Sequence, residues 1–224
     1  MEHQAFLVFF QKGGPLMWPL LAASIASLSV VVERVLFIVR EKKRRDPEAI
    51  DDIFASSERG DIPAAIRAGK DSKDFVARTL IYGLTHRDKS FSNALLRAAN
   101  KELKRFGQGL VMLDTIITLA PLLGLLGTVS GMIHAFGLLG AKQLEAPAAI
   151  TGGISEALIA TAFGLAIAII SLIPFNYLNA RLEEARHELE DAANNLEMLL
   201  MKPQCAKLLN KEVECEDTVA VTAR

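Results

Sequence analysis

Cysteine and aromatic residues are both scarce in this chain of 224 residues. Aromatic side chains make up 6% of it, and its two cysteines, Cys205 and Cys215, stand near the C-terminus. No histidine or second cysteine pair stands beside them to complete a zinc site, so they are typical of incidental thiols. The sequence therefore predicts a protein without a metal site or any other cofactor.

Motifs for enzyme chemistry are also lacking. The segment Gly124–Thr128 resembles a glycine-rich phosphate loop, but no lysine follows it to reach a phosphate. Ser130 and His134 could suggest a serine nucleophile and its base, but both fall on one predicted helix without a nucleophile motif around them. We therefore expect that the chain is not an enzyme.

Charge is nearly absent from three long stretches. A bilayer core about 30 Å thick requires about 20 mostly apolar helical residues. The second stretch has no charge, the third contains only Glu156, and Glu33 and Arg34 lie near one end of the first, where we expect them to pair with each other. The sequence predicts an all-α membrane protein with three transmembrane helices, in the stretches Pro15–Val39, Thr115–Leu139 and Ile154–Phe175.

Basic residues flank these stretches unequally. Lys12 and Lys142 fall on one side of the predicted membrane. Because cytoplasmic flanks carry the excess of lysine and arginine, the N-terminus is predicted outside and the C-terminus inside. The first span runs directly into a basic cluster, so we expect it to be retained and not cleaved. The basic residues on the inner side are Arg40, Lys42, Lys43, Arg44, Arg45, Arg59, Arg97, Lys101, Lys104, Arg105, Arg181 and Arg186.

The spans and their flanks divide the chain into eight predicted segments, of which the inner ones form long cytoplasmic helical extensions. They are a periplasmic amphipathic segment (1–14), transmembrane helix 1 (15–39), a cytoplasmic helical domain (40–112), transmembrane helix 2 (113–140), a periplasmic loop (141–153), transmembrane helix 3 (154–176), a cytoplasmic helical stalk (177–201) and a disordered tail (202–224).

Local patterns predict how the cytoplasmic segments fold. Asp46-Pro47 and Asp61-Ile62-Pro63 each supply an N-cap and a first-turn proline, so short helices are expected to begin there. From about Ser92 a long helix is expected to continue straight into the second span. Beyond the third span a heptad seam must pack against another helix, either the one entering the second span or a copy from a neighbouring subunit. The seam is Leu178, Leu182, Ala185, Leu189, Ala192, Leu196 and Leu199.

Small residues recur at helical spacing in the second and third spans. Because lipid gives no hydrophobic drive to bring helices together, such stripes allow close backbone approach and dispersion contacts. They therefore predict helix packing at Gly124, Gly127, Gly131 and Gly164, and from the sequence alone they are compatible with a pore or with simple packing seams. The stripes are Ala120, Gly124, Gly127, Gly131 and Ala135 in the second span, and Gly153, Ala157, Ala160, Gly164, Ala168 and Ser171 in the third.

A few polar side chains lie within these spans. Thr128 and Thr161 are expected near mid-membrane at similar depth, although a threonine there often only bonds a carbonyl of its own helix. Glu156 lies further out, where it either serves a function or marks a helix start whose dipole favours a negative charge. His134, at the depth of Glu156, could bond it, but we expect it to face a packing interface.

At these residues the chain strongly resembles the ExbB/TolQ branch, the three-span type, of the ExbB/TolQ/MotA proton-channel family. The blocks that carry the resemblance are APLLGLLGTVSGMIHAF (Ala120–Phe136), GISEALIATAFGLAIAI (Gly153–Ile169) and FNYLNAR (Phe175–Arg181), with the Glu33-Arg34 pair in the first span. GMIHAF is more similar to TolQ and PLMWPLL to ExbB relatives, so the subfamily stays open.

The resemblance implies a homopentamer in the bacterial inner membrane, whose second and third spans line a central pore. That pore would hold the spans of an ExbD/TolR-like partner, in two copies, and proton flow through it would drive a TonB- or TolA-like protein. It assigns Thr128, Thr161 and Glu156 to the ion pathway, with His134 and Asn176 as further polar candidates. The alternatives are a membrane scaffold without ion conduction and a motor subunit for another process such as gliding.

Overall fold

The structure is a computed structural model that describes the backbone of residues 14–141 and 147–222. Side chains are described within these ranges except at 88–89, 138–141, 147–150 and 202–222. All regular elements of the described residues are helices. They are α1 (Met17–Lys42), α2 (Pro47–Glu58), α3 (Ile62–Gly69), α4 (Phe75–Thr85), α5 (Arg87–Phe106), α6 (Leu110–Ala141) and α7 (Pro147–Thr222).

Three helices are long and apolar enough to cross a membrane: α1, the Leu110–Gly137 part of α6 and the Thr151–Met201 part of α7. The predicted all-α chain with three such helices is confirmed for the described residues. The helix α7 begins at Pro147, inside the predicted loop 141–153. The amphipathic segment predicted at 1–14, apart from Gly14, lies outside the described residues, and so does 142–146.

The expectation of one long helix from Ser92 into the second span is wrong. The helix α5 ends at Phe106 and α6 begins at Leu110, with Gly109 at a φ of 78° between them. Glycine adopts this left-handed conformation readily because it has no Cβ, so Gly109 permits the break between α5 and α6. In α5 itself, Ser90 is extended, so the regular helix follows this residue.

The tail also differs from its prediction. Residues 202–224 were expected to be disordered, whereas the backbone of α7 is helical through Pro203 to Thr222. The segment Ala206–Glu212 consists mostly of alanine, lysine, leucine and glutamate, which have high helix propensity. Loss of the heptad period therefore did not mean loss of the helix.

The chain divides into two compact units. The span unit comprises the residues up to Phe37 together with Gly107–Ala180, and the bundle unit comprises Ile38–Phe106 together with the chain from Arg181 onward.

In the span unit, α1 packs against both other spans. Met17 and Leu20 of α1 are buried with Ala120 of α6, and Phe163 of α7 packs against them. At another level, the hydroxyls of Ser27 and Ser171 lie 2.6 Å apart in a buried hydrogen bond between α1 and α7. The interior of this unit is therefore made by small and polar side chains as well as apolar ones.

The bundle unit has a larger core of aliphatic and aromatic side chains. Ile53, Phe75 and Leu80 are buried at its centre, and Leu189 and Leu196 of the heptad seam belong to the same core. Partly buried side chains of α5 also pack on it. The seam thus packs within the chain on α2–α5, including the helix that leads toward the second span.

Aspartates organise the turns of the bundle unit. The carboxylates of Asp46 and Asp61 accept hydrogen bonds from the N–H groups of Ala49 (3.2 Å) and Ala64 (2.9 Å), which confirms both predicted N-caps. Asp74, fully buried, caps α4 by accepting from the N–H of Val76 at 2.8 Å.

Candidate functional site: the contact between α6 and α7

The glycines of α6 bring its backbone against α7. A Cβ added at Gly124 would lie 2.9 Å from the Cα of Thr161, and one added at Gly127 would lie 2.6 Å from the Cβ of Ala160. At Gly131 an added Cβ would lie 2.9 Å from the Cβ of Ala157. These distances are shorter than real carbon contacts, so larger residues at these three positions would push the helices apart.

Gly164 provides the matching close approach from the side of α7. A Cβ at Gly164 would overlap the carbonyl oxygen of Ala120, and at Gly153 it would lie 2.8 Å from the Cβ of Ala135. The contacts run in opposite directions along the two helices, so α6 and α7 are antiparallel. The two stripes of small residues therefore face each other within one chain.

Thr161 uses this close approach to bond the neighbouring helix. Its hydroxyl donates to the carbonyl oxygen of Gly124 at 2.8 Å, and the side chain is half-buried. Because Gly124 has no side chain, the threonine can reach the backbone of α6 directly. Thr161 is thus an interhelical contact, not a threonine bonded to its own helix.

Thr128 makes the other kind of bond. Its hydroxyl donates to the carbonyl of Leu125 on its own helix at 2.7 Å. This local bond, which is common for threonines in membrane helices, occupies the hydroxyl, so a hydrogen bond to a partner would have to replace it. The side chain also lines an open groove of about 760 Å³ whose other walls are almost entirely apolar, formed by Val129, Met132, Ile133, Phe136, Ile154, Ala157 and Leu158.

The two threonines lie at nearby but unequal levels. Thr161 contacts Gly124, and Thr128 lies four residues further along α6, which is about 6 Å at the usual helical rise. This separation applies to the backbone positions. The hydroxyls themselves bond the carbonyls of Gly124 and Leu125, which are successive residues of α6, so the two hydroxyls lie at similar depth.

Glu156 is half-buried and lies next to the start of α1. A Cβ built on Gly14 would overlap its Oε1 and lie 2.8 Å from its Cδ. Since α7 begins at Pro147, Glu156 stands in the third turn of its own helix. The dipole effect falls off within the first turn, so Glu156 does not mark the helix start of α7.

The two further polar candidates are both exposed in the chain. His134 is at the level of Glu156, because the neighbouring Gly131 and Ala135 contact α7 on either side of it, yet no hydrogen bond joins the two among the described side chains. Asn176 is exposed toward the other end of the third span.

Two polar features of the span unit were not predicted as parts of a site. The Ser27–Ser171 bond joins α1 to α7, and the signal for it was present, because Ser171 continues the small stripe of the third span. The contact of Gly14 with Glu156 carried no such signal, since only the folded chain brings these residues together.

The ion pair predicted in the first span is confirmed. A nitrogen of the Arg34 guanidinium donates to Glu33 Oε1 at 2.6 Å, and the guanidinium carbon lies 5.1 Å from the ring centroid of Phe37. Arg34 is buried, whereas the Glu33 side chain is largely exposed. No cluster of three or more histidine, cysteine, aspartate or glutamate side chains that could hold a metal occurs in the described part of the chain.

The contact between α6 and α7 lies in a part of the chain that matches a known protein family. Residues 71–191, which include all of α6, match the MotA/TolQ/ExbB proton channel family. An ExbB-like biopolymer transport protein of Synechocystis is 40% identical over 177 residues, which cover 75% of this chain and 68% of the relative.

Shorter matches extend to both named members of one branch. The ExbB biopolymer transport protein of Neisseria gonorrhoeae is 37% identical over 99 residues, covering 44% of this chain and 45% of the relative. The Tol-Pal system protein TolQ of Haemophilus influenzae is 40% identical over 94 residues, covering 42% and 41%. The family match spans more than half of the chain and the Synechocystis relative is covered over two thirds of its length. The chain therefore belongs to the MotA/TolQ/ExbB proton channel family, in its ExbB/TolQ branch.

Proposed function

We propose that the chain is the channel subunit of an inner-membrane motor that uses the proton motive force. In this role it drives a TonB- or TolA-like protein for outer-membrane transport or envelope maintenance, and it performs no covalent chemistry. The observation that carries the proposal is the family match over residues 71–191, which includes the antiparallel α6–α7 contact with Thr128, Thr161 and Glu156.

The proposed topology places the start of α1 on the periplasmic side and the bundle unit in the cytoplasm. The excess of lysine and arginine at the ends of the spans where the chain continues into the bundle unit supports this orientation. It puts Glu156 toward the periplasm and Asn176 toward the cytoplasm.

The proposed assembly is a homopentamer around the spans of an ExbD/TolR-like subunit. The outer surface of the span unit supports this assembly. Large side chains remain exposed there although the small residues of α6 and α7 are in contact. Those at least half exposed include Leu122, Leu126, Ile133, Ile170 and Ile173. Such side chains must face lipid or other helices. In the proposed assembly, one part faces lipid and another faces neighbouring copies and the partner.

Within the motor, the two threonines have different proposed roles. Thr161 holds α6 to α7 at mid-span through the carbonyl of Gly124 and so sets the width of the pathway. Thr128 lines the open groove of about 760 Å³, where its hydroxyl can exchange its bond with Leu125 for a bond to water or to a partner carboxylate. Glu156, near the outer end, attracts cations to the entrance.

The test measures assembly and proton flow side by side. The chain is co-expressed with its single-span partner, purified in mild detergent, counted by native mass spectrometry and reconstituted in liposomes with a pH-sensitive dye. We expect pentamers, and we expect Thr128→Val, Thr161→Val and Glu156→Gln to assemble while flux falls. Thr118→Val is the matched control, because Thr118 also donates to carbonyls of its own helix.

Two results would contradict the proposal. If only monomers or dimers form across several detergents, there is no central pore. If flux in all three variants equals that of the unsubstituted complex and of Thr118→Val, these residues have no part in the pathway, and a scaffold without ion conduction is the better description.

A further inference from the structure

The start of α1 touches the one carboxylate within the third span. Gly14 has a φ of 72°, and an added Cβ would overlap Oε1 of Glu156 and lie 3.2 Å from its Cγ. Two independent requirements therefore meet at this glycine: a left-handed backbone, which residues with a Cβ adopt at a cost, and a space that is already filled by a carboxylate.

The location is electrostatically favourable for Glu156. Gly14 lies three residues before the first residue of α1, and its carbonyl accepts from the N–H of Met17 at 3.2 Å, so a turn leads from Gly14 directly into the helix. The N-terminal end of a helix carries the positive end of its dipole and attracts a carboxylate. Because Glu156 is in the third turn of α7, α1 and not α7 supplies this field.

A carboxylate within a membrane span, such as that of Glu156, is energetically costly unless a partner, a helix dipole or water stabilises it. The side chain of Glu156 is long and flexible, so its place must be fixed by what surrounds it. We propose that Gly14 is a positioning residue for Glu156: its missing side chain leaves the space in which the carboxylate is held against the N-terminal end of α1.

This inference rests on the proposed function for its consequence but not for its geometry. The atom that an added Cβ would meet is the end of a flexible side chain and not backbone, so Gly14→Ala should displace the carboxylate without separating the helices. The effect should then fall on proton flow at the entrance and leave the yield of complex unchanged.

The other glycines supply a matched control. Gly60 has almost the same left-handed backbone, with a φ of 78°, but an added Cβ there meets no atom of the described side chains or backbone within 4 Å. Gly60→Ala therefore imposes the same backbone strain without moving a carboxylate. Relative to Gly60→Ala, we expect Gly14→Ala to lower proton flux by about twofold to fivefold, the factor that corresponds to a helix-dipole interaction.

A second experiment tests the contact between Gly14 and Glu156 without measuring activity. In a chain whose Cys205 and Cys215 are replaced by serine, Gly14→Cys and Glu156→Cys are combined and the membranes are oxidised. The contact of Gly14 with the side chain of Glu156 places the two Cβ atoms within range of a disulfide. We expect loss of both thiols to maleimide labelling without a cross-linked dimer on a non-reducing gel.

The control pair combines Gly14→Cys with Gly152→Cys. Gly152 lies one turn away on α7, and an added Cβ there has no neighbour within 4 Å among the described residues. This pair should keep both thiols free.

The outcomes separate this inference from the proposed function. Retention of both thiols in the Gly14–Glu156 pair, or cross-linking between chains alone, would overturn the positioning contact. Equal flux in Gly14→Ala and Gly60→Ala would overturn its functional role. If instead Glu156→Gln itself leaves flux unchanged while the intrachain disulfide forms, the geometry stands and the assignment of Glu156 to the pathway fails.

Discussion

The span unit and the bundle unit are both made of helices, but small residues take a larger part in the interior of the span unit. The span unit places its smallest residues inside, such as Gly124 and Gly164, and leaves large ones such as Ile170 exposed. The bundle unit buries Phe75, Leu80 and others in a conventional core. The difference follows from the solvent: water drives large apolar groups inward, whereas lipid does not.

The polar contacts differ in the same way. In the bundle unit they are charged: Arg45 pairs with Asp74 at 3.4 Å and also with Glu188, while Arg78 pairs with Glu102. Within the spans, the bonds between helices come from hydroxyls, such as Thr161 to Gly124 and Ser27 to Ser171. Hydroxyls are tolerated in lipid at much lower cost than charges, so they can join helices where an ion pair would be expensive.

The largest expected effect is a charge placed in the core of the bundle unit. Leu189 is 1% exposed, so Leu189→Asp would leave an uncompensated buried carboxylate and cost about 3–5 kcal/mol. We expect a large fall in the thermal midpoint, measured by circular dichroism in detergent, and a loosened assembly.

The control is Met198→Asp on the same helix, where the side chain is 70% exposed. It should change the midpoint little. If Leu189→Asp is as stable as Met198→Asp, the heptad seam does not pack as described, and the two units do not differ in how they bury large side chains.

A smaller effect is expected when one methyl group is added to the contact of small residues. At Gly164 a Cβ would overlap a backbone carbonyl of α6, which cannot rotate away, so Gly164→Ala should destabilise the span unit by about 1–3 kcal/mol. Thermal stability of the purified complex, followed by size-exclusion chromatography after heating, measures this.

Gly152→Ala is the matched substitution on the same helix, where an added Cβ meets nothing within 4 Å in the part of the chain that the structure describes. Alanine is the better helix former, so this variant should be unchanged or slightly more stable. The opposite signs of two identical substitutions would establish close approach as the cause. Equal effects would mean that α6 and α7 are not in tight contact in the assembled protein.

The smallest effect is expected from a single hydroxyl bond between spans. Ser27→Ala removes the bond to Ser171, and interhelical hydrogen bonds in membranes contribute about 0.6 kcal/mol on average. We expect a small fall in thermal stability, and Ser29→Ala, whose hydroxyl donates to the carbonyl of Ile25 on its own helix, should show none. A loss as large as that of Gly164→Ala would show that polar bonds, not close packing, hold the spans together.

The sequence was most informative where one pattern has one physical meaning. Long uncharged stretches predicted the spans, aspartate followed by proline predicted the helix starts at Pro47 and Ile62, and the heptad predicted the buried face of the stalk. It was misleading after Ser92, where an amphipathic helix runs up to the span. Gly109 interrupts this helix. The sequence does not show whether a glycine within a helical pattern adopts a helical or a left-handed φ, because the fold decides it.

The amino-acid sequence by itself determined the number of apolar helices, their small stripes and the polar residues within them, because these depend on local composition and spacing. Only the tertiary structure decided what each polar group meets. Thr161 and Thr128 have the same side chain and lie beside similar stripes of small residues, yet one bonds the opposite helix and the other its own. Gly14 and Glu156 are 142 positions apart in the sequence and touch only after α1 has packed on α7. Such contacts depend on how helices cross in space, and the period of a single helix does not contain that information.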